Sequence, residues 1–173
     1  MDEARLGLKV WFRRRWCPKG VRPPWIVEDR YEWLWLYAAV EPTTGESFFW
    51  CLPRLDGECF TVFLRAFRQT WPEGGIALVL DNSGSHINGK GCWPAGMEPV
   101  RLPAYSPELN PVERLFEALR QELAHQVFES VDALEQALTK ALRAYWEQPS
   151  ALVQLTAYPW WREGVQHITT VPQ

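Results

Sequence analysis

The spacing of hydrophobic residues changes along the chain in a way that separates strands from helices. Apolar runs over residues 31–40 and 47–52, joined by the polar segment 41–46, predict a β-hairpin. Residues 57–70 repeat apolar side chains every three or four positions, which predicts a helix. The unbroken apolar run 76–80 has no polar alternation, and it predicts a strand that is covered on both faces.

The second half of the chain predicts a short strand over residues 99–102 and then helices. Pro107 and Pro111 prevent an early helix start, so the apolar stripe that begins at Val112 predicts a helix from that residue onward. Ser130 is a suitable N-cap for a last helix that runs to about residue 146.

The aromatic segment 156–161 is expected to dock on the rest of the chain, and residues 82–91 form a loop with room for a short helix. This order of strands and helices predicts an α/β domain in which helices pack on a mixed sheet.

Composition sets few further limits. With 173 residues the chain is long enough for one domain with a real core. No apolar run reaches membrane-spanning length and no signal-peptide pattern opens the chain, so we expect a cytoplasmic protein without membrane contact. The four cysteines lie far apart, which argues against a zinc site and for free thiols in a reducing compartment.

The local charge near the amino-terminal end is more informative than the net charge of −3. Arg13, Arg14, Arg15 and Lys19 are interleaved with aromatic residues. Such a segment suits contact with a phosphate backbone, and it equally suits a solvated strand face; charge alone does not separate the two.

Two carboxylates occupy positions of interest. Asp81 follows the predicted central strand, and Glu113 lies in the first turn of the helix that begins at Val112. If that helix packs on the strand, the two carboxylates approach each other, which is costly unless a cation lies between them. Hard oxygen ligands suit Mg²⁺ or Mn²⁺, and a pair of such ions can drive phosphodiester cleavage. An unrelated pair of surface charges is the alternative.

Several other side chains have a plain structural interpretation. The alternating Trp33, Trp35 and Tyr37 are expected to pack in the core rather than stack on bases. Glu3 faces away from Asp2 if both lie on one strand, so it is not expected to be a ligand. Glu117 is expected to form an ion pair with a neighbour on its helix.

Three blocks of this sequence resemble the signature blocks of the DDE transposases of the mariner-related insertion-sequence superfamily. They are Asp2-Glu-Ala-Arg-Leu-Gly7, Asp81-Asn-Ser-Gly-Ser-His86 and Leu102-Pro-Ala-Tyr-Ser-Pro-Glu-Leu-Asn-Pro-Val-Glu113. Further similar segments are Trp16-Cys-Pro-Lys-Gly20, Tyr37-Ala-Ala-Val-Glu-Pro-Thr-Thr-Gly45 and Tyr158-Pro-Trp160. The resemblance extends over nearly the whole chain in the expected order.

The resemblance implies a ribonuclease-H-like fold in which Asp2, Asp81 and Glu113 are the catalytic residues. They would bind Mg²⁺ or Mn²⁺, two ions when DNA is bound, to cut double-stranded DNA at transposon ends and join the 3′-hydroxyl to target DNA. Residues 1–173 would be the catalytic domain, with its first strand truncated and the helix-turn-helix DNA-recognition domain absent. The implied partners are a second copy of the chain on DNA and a separately encoded helix-turn-helix subunit.

Residues around the triad have candidate roles of their own, each with an alternative. Arg13, Arg14, Arg15 and Lys19 would contact DNA. His86 would contact the scissile phosphate or orient a metal ligand, and a plain polar contact of a loop histidine is the alternative. Asn82 and Asn110 would hydrogen-bond the carboxylates or satisfy turn backbone, and for Asn110, which precedes Pro111, the turn role is favoured. An inactive transposase remnant that binds DNA or protein is the alternative to an enzyme.

Overall fold

The strands form two hydrogen-bonded groups in the computed structural model, which describes residues 1–11, 16–21, 28–87 and 93–168. Strands β1 (Asp2–Gly7), β2 (Trp33–Val40) and β3 (Ser47–Leu52) make an antiparallel sheet in the order β1-β2-β3. Strands β4 (Ile76–Leu80) and β5 (Met97–Arg101) form a parallel pair. The backbone nitrogen of Met1 donates to the Val79 carbonyl oxygen at 2.6 Å, which brings the start of β1 beside β4.

The helices cover both faces of the antiparallel sheet. The helices of the described ranges are α1 (Gly57–Thr70), α2 (Gly84–Ile87), α3 (Val112–Glu122), α4 (Val131–Glu147), α5 (Pro149–Thr156) and α6 (Pro159–Ile168), with a 3₁₀ turn at Pro107–Leu109. Of these, α1 covers one face of the sheet and α3, α4 and α5 cover the other. Asp56 caps α1 and Ser130 caps α4, each through a side-chain oxygen that accepts a backbone N–H three residues later.

Because successive side chains of a strand point to opposite faces of the sheet, neighbouring residues of β1 and β2 belong to two different cores. One core combines Ala4, Leu6, Leu36 and Ala38 with the apolar faces of α3, α4 and α5. The other combines Tyr37 and Ala39 with α1 and the parallel strand pair. Because Asp2 pairs with Ala38 and Glu3 with Tyr37, Asp2 lies on the α3 face of the sheet and Glu3 on the α1 face.

Most predicted elements are confirmed, and the differences have local causes. The bounds of β3, α1 and β4 agree with the hydrophobic pattern, while β5 begins two residues before the predicted strand, at Met97. The expectation that all three alternating aromatics are core residues is wrong for Trp33, which is 43% exposed, whereas Tyr37 is fully buried. No helix among the described residues is long and apolar enough to cross a membrane.

Candidate active site

Asp2 is a partly buried carboxylate that is held by two hydrogen bonds. Its Oδ1 accepts from the Glu3 backbone N–H at 2.8 Å, and its Oδ2 accepts from Asn110 Nδ2 at 3.0 Å. Burial raises the pKa of the Asp2 carboxyl to about 7, and the negative charges of Glu3 and Glu113 act in the same direction. A negative charge at this position is therefore costly without a cation nearby.

Asn110 connects the start of β1 to the start of α3. Its amide nitrogen also reaches the Met1 carbonyl oxygen at 3.2 Å, and its side-chain oxygen accepts from the Val112 N–H at 3.3 Å. The side chain thus has both of the roles considered for it, since it satisfies turn backbone and also bonds to a carboxylate. Glu113 follows in the first turn of α3, half-buried, so Asn110 ties Asp2 to the helix that carries Glu113.

Asp81 lies directly after β4 and is held by the turn that follows. Its Oδ1 accepts from the Ser83 N–H at 2.8 Å and contacts His86 Nδ1 at 2.9 Å. Arg101 at the end of β5 donates to the Asp81 carbonyl oxygen at 2.8 Å. The Asp81 side chain is 51% exposed, so it remains open to solvent while one oxygen is fixed from behind.

His86 lies in the interior, between two carboxylates. Its Nε2 is 2.9 Å from Glu3 Oε1, and its ring packs against Phe60 with centroids 4.7 Å apart. Burial alone would lower the pKa of His86, but the hydrogen bond to Glu3 and the charges of Glu3 and Asp81 outweigh it, so the pKa is raised. At 1% exposure His86 is not available to DNA at the surface, so a contact with the scissile phosphate does not fit this position, whereas the orienting role and a plain polar contact both do.

An open cleft of about 640 Å³ lies beside Glu113 on the outer side of α3. Arg114 donates to the Tyr158 hydroxyl and lies over the Tyr158 ring, 5.6 Å from its centroid, while Tyr158 stacks on Trp160. The predicted docking of the aromatic tail is therefore confirmed. Arg114 also pairs with Glu117 at 3.3 Å, as predicted for that glutamate.

The remaining predicted residues are less informative. Arg13, Arg14 and Arg15 lie outside the described residues, and Lys19 is exposed in a turn. Asn82 is exposed and donates to the Leu102 carbonyl oxygen at 2.9 Å, so it satisfies turn backbone rather than a carboxylate.

The three predicted carboxylates are chemically suited to bind a divalent cation. Asp2, Asp81 and Glu113 offer only hard oxygen atoms. The pKa of Asp2 is raised mainly by burial and further by the charges of Glu3 and Glu113, and a bound cation would offset both effects. Within the described ranges, however, no three His, Cys, Asp or Glu side chains are close enough together to hold an ion. The carboxylates are thus brought to neighbouring positions by their elements, without forming a closed set of ligands.

Glu3 is the site residue that sequence analysis did not identify. Its side chain is only 3% exposed and bonds to His86, 83 positions away along the chain. The available signal was its position: an acidic residue on the strand face that holds Tyr37 has to find a partner inside the protein.

Residues 1–135 match the family model described as DDE superfamily endonuclease. An uncharacterized protein of Sinorhizobium fredii, y4pE/y4sA, is 28% identical over 130 residues, which cover 74% of this chain and 96% of that protein.

Three solved structures of the Mos1 transposase share the fold. The Mos1 mariner paired-end complex with Mn has a TM-score of 0.66 at 18% identity and covers 90% of this chain. The strand transfer complex has a TM-score of 0.61, and the paired-end complex with the left transposon end has 0.56, each at 16% identity over 88% of this chain. The fold is therefore ribonuclease-H-like. This chain spans about half the length of these proteins, between 50% and 53%.

Proposed function

The chain belongs to the DDE superfamily endonucleases, and on that basis we propose that it is the catalytic domain of a transposase. Its substrate would be double-stranded DNA at the ends of a mobile element. Water would first attack a phosphodiester at the element's end and leave a free 3′-hydroxyl. That hydroxyl would then attack a phosphodiester of target DNA and displace the target's own 3′-hydroxyl.

One observation carries the assignment of the site: Asn110 joins the Asp2 carboxylate to the first turn of α3, where Glu113 lies. The contacts of His86 with Glu3 and Asp81 bring the end of β4 to the same region. This arrangement supports Asp2, Asp81 and Glu113 as the residues that hold divalent ions, Mg²⁺ or Mn²⁺, two of them when DNA is bound. Such ions, when bound, activate the attacking oxygen and stabilise the leaving oxygen.

The protein's own side chains would position the reacting groups. Asp2 presents its carboxylate with both oxygens held, so little reorientation is needed when an ion binds. Asp81 combines a fixed Oδ1 with an exposed side chain, which suits a ligand that must also face a DNA phosphate. Glu113 lies half-buried at the edge of an open cleft, close enough to Asp2 for its charge to raise the pKa of the Asp2 carboxyl.

DNA contact and assembly complete the proposal. Lys19, together with Arg13, Arg14 and Arg15, would contact the DNA backbone at one edge of the domain, and two copies would act together on DNA. Recognition of the element's ends would come from a helix-turn-helix module outside residues 1–173. The protein would then act in the cytoplasm, at the nucleoid.

Calorimetric titration with Mn²⁺ tests the site directly. We expect saturable binding that Asp81→Asn and Glu113→Gln each weaken at least about tenfold, whereas Glu147→Gln on the exposed face of α4 leaves it unchanged. Cleavage of a DNA duplex in Mn²⁺ should be lost in the same two variants. Binding that is insensitive to both substitutions would refute the site and favour the alternative function, an inactive remnant that binds DNA or protein.

A further inference from the structure

Regular sheet hydrogen bonds do not determine how Asp2 and Asp81 lie relative to each other. Asp2 belongs to the antiparallel sheet and Asp81 follows the parallel pair, and among the described strands no ladder joins the two. The Met1 to Val79 hydrogen bond is a single backbone contact between them. Met1 also packs with Leu78 and Leu80 in one apolar core, but such packing is non-directional and does not orient a polar side chain at the end of β4.

A chain of buried side chains supplies a directional interaction. Glu3 leaves β1 on the α1 face and reaches His86 Nε2 with both oxygens, at 2.9 and 3.1 Å. On the other side of the ring, Nδ1 reaches Asp81 Oδ1 at 2.9 Å. The side chains of Glu3 and His86 are 3% and 0% exposed, so these contacts do not compete with water.

The imidazole ring is held from three sides. Glu3 and Asp81 occupy its two nitrogens, and Phe60 of α1 lies against its face with ring centroids 4.7 Å apart. Arg101 adds a donor to the His86 carbonyl oxygen at 3.2 Å, which ties α2 to β5. Because the ring has little freedom to move, the position of Glu3 determines where the ring holds Asp81.

We propose that Glu3 and His86 are positioning residues that set the placement of Asp81 relative to Asp2. Glu3 is adjacent to Asp2 on β1, so any displacement of Asp81 from the metal site stretches the Glu3–His86–Asp81 contacts. The pair touches neither ion nor DNA and acts through one oxygen of Asp81. This inference rests on the proposed function, because it assigns Asp2 and Asp81 to one site.

The first test replaces the pair with apolar side chains of similar size, Glu3→Leu with His86→Phe. Removal of both partners of a buried polar contact leaves neither unsatisfied, so the double variant should unfold at the wild-type temperature or above. Its Kd for Mn²⁺ should nevertheless rise about tenfold to a hundredfold, as is typical when the supports of metal ligands are removed. Wild-type affinity in a double variant of wild-type thermal stability would overturn the proposal.

The second test uses a conservative variant in case the double variant does not fold. In Glu3→Gln an amide oxygen can still accept from His86 Nε2, whereas Glu3→Ala leaves the ring without that partner. We expect Glu3→Gln to bind Mn²⁺ within about threefold of wild type and Glu3→Ala to lose at least about tenfold. Equal losses in the two variants would overturn positioning by this contact.

The controls separate this proposal from the one on which it rests. Asp81→Asn must weaken Mn²⁺ binding, and Glu147→Gln must not. If Asp81→Asn has no effect, the proposed function fails and the positioning role fails with it. If Asp81→Asn weakens binding while the Glu3 and His86 variants do not, only the positioning role is refuted.

Discussion

The side chain of Asn110 donates a hydrogen bond to the carboxylate of Asp2, at 3.0 Å, across 108 positions of the chain. The same side chain bonds to the Met1 carbonyl and the Val112 N–H, and it is 3% exposed. One buried amide side chain therefore connects the first strand to the helix that carries Glu113.

We expect Asn110→Ala to lower the free energy of unfolding by about 1–3 kcal/mol, because it leaves buried donors and acceptors without partners. Urea denaturation measures the loss. Asn82→Ala is the matched control: Asn82 is exposed and makes one hydrogen bond, to the Leu102 carbonyl, so its removal should cost no more than about 0.5 kcal/mol. Similar losses in the two variants would contradict the structural role of Asn110.

The raised pKa of Asp2 predicts a pH-dependent stability. The folded value is about 7 and the unfolded value is 3.8, so between these values the folded state binds more protons than the unfolded state. The stability that protonated Asp2 contributes is fully present below pH 3.8 and is lost as pH rises through 7, with a limiting slope of about 1.4 kcal/mol per pH unit. His86, whose pKa is also raised, acts in the same direction at higher pH.

Denaturation of wild type and Asp2→Asn at several pH values isolates this effect. The variant should lack the part of the slope that Asp2 contributes, so the difference in stability between variant and wild type should grow in favour of the variant from pH 4 to pH 7. A constant difference between Asp2→Asn and wild type would mean that Asp2 titrates as an ordinary surface carboxyl.

Two glycines with the same backbone conformation provide a paired test of packing. Gly45 has φ 79° and Gly74 has φ 76°, so an alanine is strained at both positions. A Cβ at Gly45 would also come within 2.8 Å of the Pro149 Cβ at the start of α5, whereas a Cβ at Gly74 would meet nothing within 4 Å. Gly74→Ala should cost about 1 kcal/mol and Gly45→Ala a further 1–3 kcal/mol, measured by urea denaturation. Equal costs would show that the hairpin loop does not contact α5 closely.

The Arg114–Tyr158 contact predicts how firmly α6 is attached. Arg114→Ala removes both the hydrogen bond to the Tyr158 hydroxyl and the cation–π contact with its ring. We expect amide exchange in α6 to accelerate about threefold to tenfold while exchange in α1 stays unchanged. Arg143→Ala, which removes an exposed ion pair with Glu147, should change neither.

The elements that sequence analysis predicted are those whose hydrophobic pattern reflects one local environment. The bounds of α1 and β4 follow from the hydrophobic pattern. The prediction that β4 is covered on both faces is wrong, because Ala77 is exposed and only Leu78 and Leu80 are buried in the core under α1. The helix α5 was not predicted, since eight residues that begin at Pro149 give too short a pattern. The exposure of Trp33 was also missed, because the sequence does not reveal that it lies outside the core under α1.

The carboxylates of the candidate site were predictable from the sequence, but the residues that hold them in place were not. The hydrophobic pattern shows that Asp81 follows a strand and that Glu113 lies at the start of a helix. The contact between Glu3 and His86 depends on how β1 and the turn after β4 meet, and no local pattern encodes a pairing over 83 positions. Alternation correctly puts Glu3 on the face opposite Asp2, but it gives no indication of what Glu3 meets there.

The long separation of these contacts has a consequence for the order of folding. The hydrogen bonds of Met1 with Val79, Glu3 with His86 and Asp2 with Asn110 span 78, 83 and 108 positions, while the hairpin and the helices form from neighbouring residues. Closure of such long loops is slow, so we expect the region around Asp2 to assemble last, after the transition state. A divalent ion that binds there should then slow unfolding without accelerating refolding.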